Sequence, residues 1–174
     1  YSLYGLKADG FITQEDFDEN GVYKYAKQFG SIAPGDIKYV DMNNDSIINS
    51  NDYTIIGQTI PRLTFGVNFN AKYKNFDFGL FFQGVGKADG LIRDQGIMPF
   101  LMGGTVQEQH KDRWTPENPD ATFPRFAFNE TNNEQTSSFW MRDASYLRLK
   151  NVQFGYSLPK PILNKLKIQQ LRLY

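Results

Sequence analysis

The sequence predicts an all-β fold, a fragment of a large antiparallel transmembrane barrel with long extracellular loops. Three observations predict it. One segment alternates apolar and polar residues without a break over twelve positions. A two-residue turn joins it to a second alternating segment. The remaining connections are either very short or very long.

The first strand comes from Arg62 to Tyr73. Every odd position is apolar (Leu63, Phe65, Val67, Phe69, Ala71, Tyr73), and every even one is polar or glycine (Arg62, Thr64, Gly66, Asn68, Asn70, Lys72). Successive strand side chains point to opposite faces, so one face is oily and the other polar. Strands of soluble proteins usually run ~5–6 residues, whereas a tilted membrane strand needs ~9–11. The length therefore puts Leu63, Phe65, Val67, Phe69 and Ala71 against lipid, and Thr64, Gly66, Asn68 and Asn70 in the lumen.

Lys74-Asn75 is the turn, and Asn tolerates the positive φ that a tight hairpin requires. Such a turn places Tyr73 opposite Phe76. Phe76, Phe78, Leu80 and Phe82 then share the oily face, while Asp77, Gly79 and Gln83 fall on the polar one; Phe81 is the exception. A third strand is read from Phe139 to Leu158. Its apolar phase changes from odd (Leu147, Leu149) to even (Val152, Phe154, Tyr156, Leu158), which predicts a β-bulge at Lys150-Asn151. Pro159-Lys160-Pro161 ends it, Ile162–Leu166 forms a turn or short helix, and a fourth strand starts near Ile168.

The connections give the organisation. Residues 1–61 are an extracellular loop region with short strands, and 62–84 a transmembrane hairpin. Residues 85–138 are a long extracellular loop, and 139–174 transmembrane strands with a short periplasmic turn. All belong to one barrel domain truncated at both ends. Outer-membrane barrels have short periplasmic turns and long external loops, so Lys74-Asn75 and 159–167 are expected in the periplasm. Tyr73, Phe76 and Tyr156 would form an aromatic girdle there, and Phe139, Trp140 and Tyr146 one towards the outside. Within the first region, Gln14 to Lys27 carries a short helix signal interrupted by Asn20-Gly21. Ala33–Asp36 reads as a turn and Ile37–Val40 as a strand. Trp114–Pro119 is turn chemistry.

Bulk properties exclude several classes. Aromatic residues are abundant, with 15 Phe, 10 Tyr and 2 Trp, which favours strands. Without cysteine there is no disulfide or thiol chemistry. Nineteen basic and nineteen acidic residues read as interspersed, so no basic stripe suggests nucleic acid. No run approaches the ~18 apolar residues of a membrane-spanning helix, which leaves a strand barrel open. The chain begins at Tyr1-Ser2-Leu3-Tyr4 without a signal peptide and stops inside an alternating pattern at Leu171-Arg172-Leu173-Tyr174; both ends read as cut. The competing fold is a soluble β-sandwich with one wet face.

Six segments, in order, resemble the SusC/RagA family of TonB-dependent outer-membrane importers of Bacteroidota. They are Asp9–Asp16 (DGFITQED), Pro34–Asp41 (PGDIKYVD), Ile56–Pro61 (IGQTIP), Phe81–Gly84 (FFQG), Arg113–Pro119 (RWTPENP) and Tyr146–Val152 (YLRLKNV). The resemblance implies the C-terminal part of a 22-stranded barrel closed by an N-terminal plug and capped by a SusD-like surface lipoprotein. It implies uptake of oligosaccharides or peptides, energised by TonB through an N-terminal part this chain does not contain. The alternative function is a secreted or surface carbohydrate-binding β domain with a structural calcium; a third is a purely structural outer-membrane protein.

One loop has metal-ligand spacing. With Asp41 as position 1, oxygen donors fall at Asp41, Asn43, Asp45, the Ile47 carbonyl, Asn49 and Asp52, the pattern of a twelve-residue calcium loop. Ser46 stands where such a loop has glycine, and Asp52 where it has a bidentate Glu. The alternative is an Asx-rich turn held by its own side chains. No catalytic set is present: His110, the one histidine, reads as a solvated loop residue, and Glu15, Asp16 and Glu108 are scattered. Phe100, Trp114 and Phe123 could stack on sugar rings or pack the loop against its neighbours.

Overall fold

The computed structural model describes residues 2–128 and 131–174. The chain divides into two compact units, one of residues 1–60 and 89–143, the other of 61–88 and 144–174.

The second unit is a four-stranded antiparallel meander. Its strands are β5 (Leu63–Tyr73), β6 (Phe76–Gly86), β9 (Tyr146–Ser157) and β10 (Arg172–Leu173), with β6 and β9 central. β5 and β6 pair residue for residue from Leu63 opposite Gly86 to Tyr73 opposite Phe76. Period-two alternation pins this register, because a slip of one residue would turn every oily side chain to the polar face. The turn has the expected two residues, but Lys74 takes the positive φ of 54°, not Asn75. Pro159 precedes a short helix, α1 (Lys160–Leu166), which ends where Lys167 enters the left-handed region at φ 57°.

The other unit has three two-stranded sheets. β1 (Ser2–Gly5) pairs with β4 (Thr54–Gln58), β2 (Ala8–Phe11) with β3 (Ile37–Tyr39), and β7 (Asp89–Leu91) with β8 (Met141–Asp143). Its core joins Leu6, Ile37, Tyr39 and Ile48 from the first segment to Met98, Leu101, Phe123 and Trp140 from the second. The two long connections expected as separate loops are therefore one packed body. With so little ladder, side chains must satisfy buried backbone groups. Asn133 Oδ1 accepts from the Ile37 N–H at 2.8 Å, Asn132 donates to the Ile37 carbonyl at 2.8 Å, and the Trp140 indole donates to the Asn133 carbonyl at 3.0 Å. The Arg125 guanidinium forks onto the fully buried Asp36 carboxylate at 2.8 and 2.9 Å.

Several expectations are corrected here. The helix signal over Gln14–Lys27 yields only a 3-10 turn at Gln14–Asp16. Beyond it, Asp18 Oδ1 accepts from the N–H groups of Asn20 and Val22, and Gly21 takes φ 77°. That local carboxylate offers the backbone a better partner than a helix would. The strand expected from Phe139 to Leu158 is two strands, β8 and β9, which lie in different units. Trp140 is 1% exposed in the core, so it belongs to no girdle, and Phe139 packs against that core.

Candidate functional site

The four-stranded wall is the first candidate. On one face, Leu63, Phe65, Val67, Phe69, Ala71 and Tyr73 of β5 stand opposite Gly86, Gly84, Phe82, Leu80, Phe78 and Phe76 of β6. β9 continues the same face with Leu147, Leu149, Val152, Phe154 and Tyr156. Lys150 has no opposite number, since Phe81 pairs with Asn151 and Phe82 with Leu149. This bulge is what brings the odd and even apolar positions onto one side. Val67, Phe69, Leu147 and Phe154 are each at least half exposed. A continuous oily face of this extent needs an apolar environment, and lipid supplies one.

The reverse face carries Thr64, Gly66, Asn68, Asn70 and Lys72 opposite Val85, Gln83, Phe81, Gly79 and Asp77. Phe81, the exception to the alternation, lies over Gly66: a ring carbon sits 2.9 Å from where a Cβ would stand. On the oily face the Phe65 ring covers Gly84 in the same manner. Towards the short-turn end, Asp77 lies over Gly155 and pairs with Arg172. A cleft of about 230 Å³ opens there, lined by Asn70, Lys72, Asp77, Gly79, Gln153 and Arg172 among others. At the same end Phe76 packs on Tyr156 and Phe154, with ring centroids 4.7 and 5.6 Å apart.

The 41–52 loop is the second candidate. Asp41 accepts from the N–H groups of Asp45 (3.3 Å) and Ser46 (2.7 Å), and Asn43 Oδ1 from that of Asp45 (3.0 Å). Asp45 accepts from the Ile47 N–H at 2.8 Å and from the Asn43 amide at 2.9 Å. Asn49 accepts from the Asn51 N–H and donates to the Ile47 carbonyl. Asp52, fully buried, closes the loop by accepting from the Met42 and Asn49 N–H groups at 2.9 and 2.8 Å. Asp41, Asn43, Asp45, Asn49 and Asp52 thus all act within a single turn, held by side-chain to backbone hydrogen bonds. Ser46 adopts φ 65° and Asn44 φ 59°, the left-handed conformations such a tight loop requires. Among the described residues no group of three or more His, Cys, Asp or Glu is placed to hold a metal ion.

The remaining candidates are structural. His110 is fully buried, which corrects the expectation of a solvated residue. Its Nδ1 accepts from the Gln107 N–H at 2.9 Å and its Nε2 lies 2.8 Å from the Ile97 carbonyl, so these partners assign a neutral ring with the proton on Nε2. Phe123 is in the core, Trp114 covers Gly35, and Phe100 meets Phe126 and Phe128 edge-on. Lys38 bridges to Asp16 at 2.8 Å and lies 4.0 Å over the Tyr25 ring. Burial opposes ionisation of Asp16, but hydrogen bonds from Lys38 and the Thr13 N–H outweigh it and hold the carboxyl below its ordinary value. Burial, aided by Asp16 and Tyr25, pushes the Tyr23 hydroxyl up to about 12.

The charges are not interspersed in space, contrary to the reading of the linear sequence. The four-stranded unit holds ten Lys and Arg against the single acid Asp77; among the described residues, seventeen acids lie in the loop unit with nine basic residues. The neutral total conceals this because the chain passes repeatedly between the two units.

Comparison with known proteins is consistent with this architecture. No family model matches the chain. It is 33% identical over 174 residues, 99% of its length, to TonB-dependent receptor P3 of Formosa agariphila. It is 35% identical over 126 residues to TonB-dependent receptor P26 of the same organism. The chain spans 16% and 13% of the lengths of these two relatives. Two solved structures of the RagAB peptide importer, open-open and closed-closed, superpose on 93% of the chain with TM-scores of 0.60 and 0.57. Their identities of 20% and 18% speak to the fold, and the chain covers 16% and 17% of theirs. By sequence the chain matches a segment of TonB-dependent receptors, and by fold it is a segment of an antiparallel outer-membrane barrel of that kind.

Proposed function

We propose that the receptor containing this chain is a SusC-like importer. It takes up oligosaccharides or peptides across the outer membrane with energy delivered through TonB, beside a SusD-like surface lipoprotein. The observation that carries this reading is the wall itself, oily along one face and polar along the other, in a chain one-third identical to a TonB-dependent receptor. The polar face then lines the lumen, and Lys74-Asn75 and 159–167 lie in the periplasm. Residues 1–61 and 85–138 are external. The segment acts as a transporter wall and not as an enzyme: its one histidine and its buried Asp36 and Asp52 are engaged by neighbouring groups. The test is uptake by cells with and without the receptor gene. Uptake should vanish with the gene and with collapse of the inner-membrane proton gradient. Recovery of the receptor in the soluble fraction without detergent would sink the reading.

A structural calcium ion in the 41–52 loop is a separate proposal, supported by Ser46 taking the left-handed conformation that the sixth position of a calcium loop needs. Asp41, Asn43, Asp45 and the Ile47 carbonyl would hold it with hard oxygens, and Asn49 and Asp52 would complete the set. Calorimetry of the chelated receptor should register binding, weakened by Asp45→Ala. Absence of heat at millimolar calcium leaves the Asx-rich turn.

A further inference from the structure

We propose that the short-turn end of the four-stranded unit is a binding site for anionic phospholipid headgroups, with α1 lying at the membrane–water boundary. The proposal rests on the outer-membrane reading and goes beyond it by naming a lipid class and the residues that select it.

Charge is the first observation. Lys72, Lys74, Lys160, Lys165, Lys167 and Arg172 cluster at this end of the sheet, where the single acid is Asp77, already paired with Arg172. Lys160, Lys165 and Lys167 are exposed and carry no ion pair among the described residues. Holding uncompensated lysines together costs electrostatic energy in water, and an anionic surface relieves it.

The second observation is independent of charge. Ile162 and Leu166 lie one turn apart on α1 and are 44% and 53% exposed, and Ile168 just beyond is 42% exposed. Leu163, between them, is buried and anchors the helix. Exposed aliphatic residues interleaved with lysines suit a helix lying in a bilayer interface, aliphatic side chains inward and lysines at the headgroups. The aromatic cluster of Phe76, Tyr156 and the 71%-exposed Tyr73 lies at the same end, as an interfacial girdle does.

A receptacle completes the case. Lys160 and Asn164 lie four residues apart on one side of α1, and Lys167 caps its C-terminal end. With Leu163, Ile168 and Gln169 they line an open cleft of about 480 Å³. Two lysines, two amides and two aliphatic side chains thus line it, a combination that suits a phosphate-bearing headgroup and the start of its acyl chains.

The test uses the full receptor in nanodiscs of mixed phosphatidylglycerol and phosphatidylethanolamine, with retained lipid read by native mass spectrometry. Each lysine near an anionic surface adds roughly a five-fold preference, so Lys160→Gln/Lys165→Gln/Lys167→Gln should lower the preference for phosphatidylglycerol on the order of a hundredfold. A control, Lys27→Gln/Lys111→Gln in the loop unit, should leave retention unchanged. Thermal stabilisation by phosphatidylglycerol but not by equal inorganic phosphate would identify the lipid as the ligand. Equal retention of both lipids by wild type, or an unchanged preference in the folded triple variant, overturns the proposal and leaves the barrel reading standing. A receptor that is soluble without detergent overturns both.

Discussion

Leu149 and Val152 lie on the same face of β9 although they are three residues apart, because Lys150 is left unpaired between them. A regular strand would place them on opposite faces. Removing Lys150 should therefore be tolerated: Leu149 then precedes Asn151, and the strand alternates regularly through Tyr156. Removing Gln153 instead also restores a period of two for Phe154 and Tyr156, but it turns Asn151 to the oily face and Val152 to the polar one. We expect Lys150 deletion to alter folding stability in lipid by less than about 1 kcal/mol, and Gln153 deletion to cost clearly more, because it sets the Asn151 amide against lipid. Urea titration of bilayer-inserted receptor distinguishes them, and equal outcomes would discredit the bulge as the phase corrector.

The two faces of β5 make opposite predictions for one substitution. Arg at Val67, near mid-strand on the oily face, should cost about 2–4 kcal/mol, and Arg at Asn68 much less. The same urea titration reads both, and similar tolerance at the two positions contradicts a lipid-facing wall.

His110 satisfies two buried backbone groups at once. His110→Leu keeps comparable bulk but leaves the Gln107 N–H and the Ile97 carbonyl without partners. Each unsatisfied group costs about 1–3 kcal/mol. Hydrogen exchange should accelerate over residues 94–111 while the Leu63–Gly86 hairpin remains protected.

Asp16 links acidity to local order. Its carboxyl is held below its ordinary value in the folded chain, so the stability it contributes is present above the unfolded-state value and disappears as pH falls through the folded one. Exchange of the Lys24 amide, which donates to the Asp16 carbonyl at 2.9 Å, should quicken on acidification below the usual carboxylate range. Lys38→Met should move that transition to higher pH. A transition unmoved by Lys38→Met would mean that the ion pair does not set it.

Ser46 holds φ 65° with a side chain attached. Ser46→Gly should stabilise the 41–52 loop by up to about 1 kcal/mol, less the entropy glycine brings to the unfolded chain. Local hydrogen exchange of the Ile47 and Asn51 amides measures the effect; faster exchange would show that the Ser46 side chain itself supports the turn.

The sequence by itself determined the wall: strand direction, turn length, register and even the bulge. Period-two alternation is local, and the contrast of oil and water along Arg62–Gln83 and Leu147–Leu158 admits one pairing. The six motif segments carried the family. Only tertiary structure decided that 1–60 and 89–143 are one body. That unit has no period to read, because its buried backbone is satisfied by side chains distant in sequence, such as Asn133 on Ile37. His110 and Trp140 are buried for the same reason: their partners become neighbours only when the two segments meet. Charge followed suit. Nineteen basic and nineteen acidic residues sum to zero along the chain, yet folding gathers ten of the former and one of the latter into the four-stranded unit, because a sum over sequence keeps no record of which residues fold into one unit.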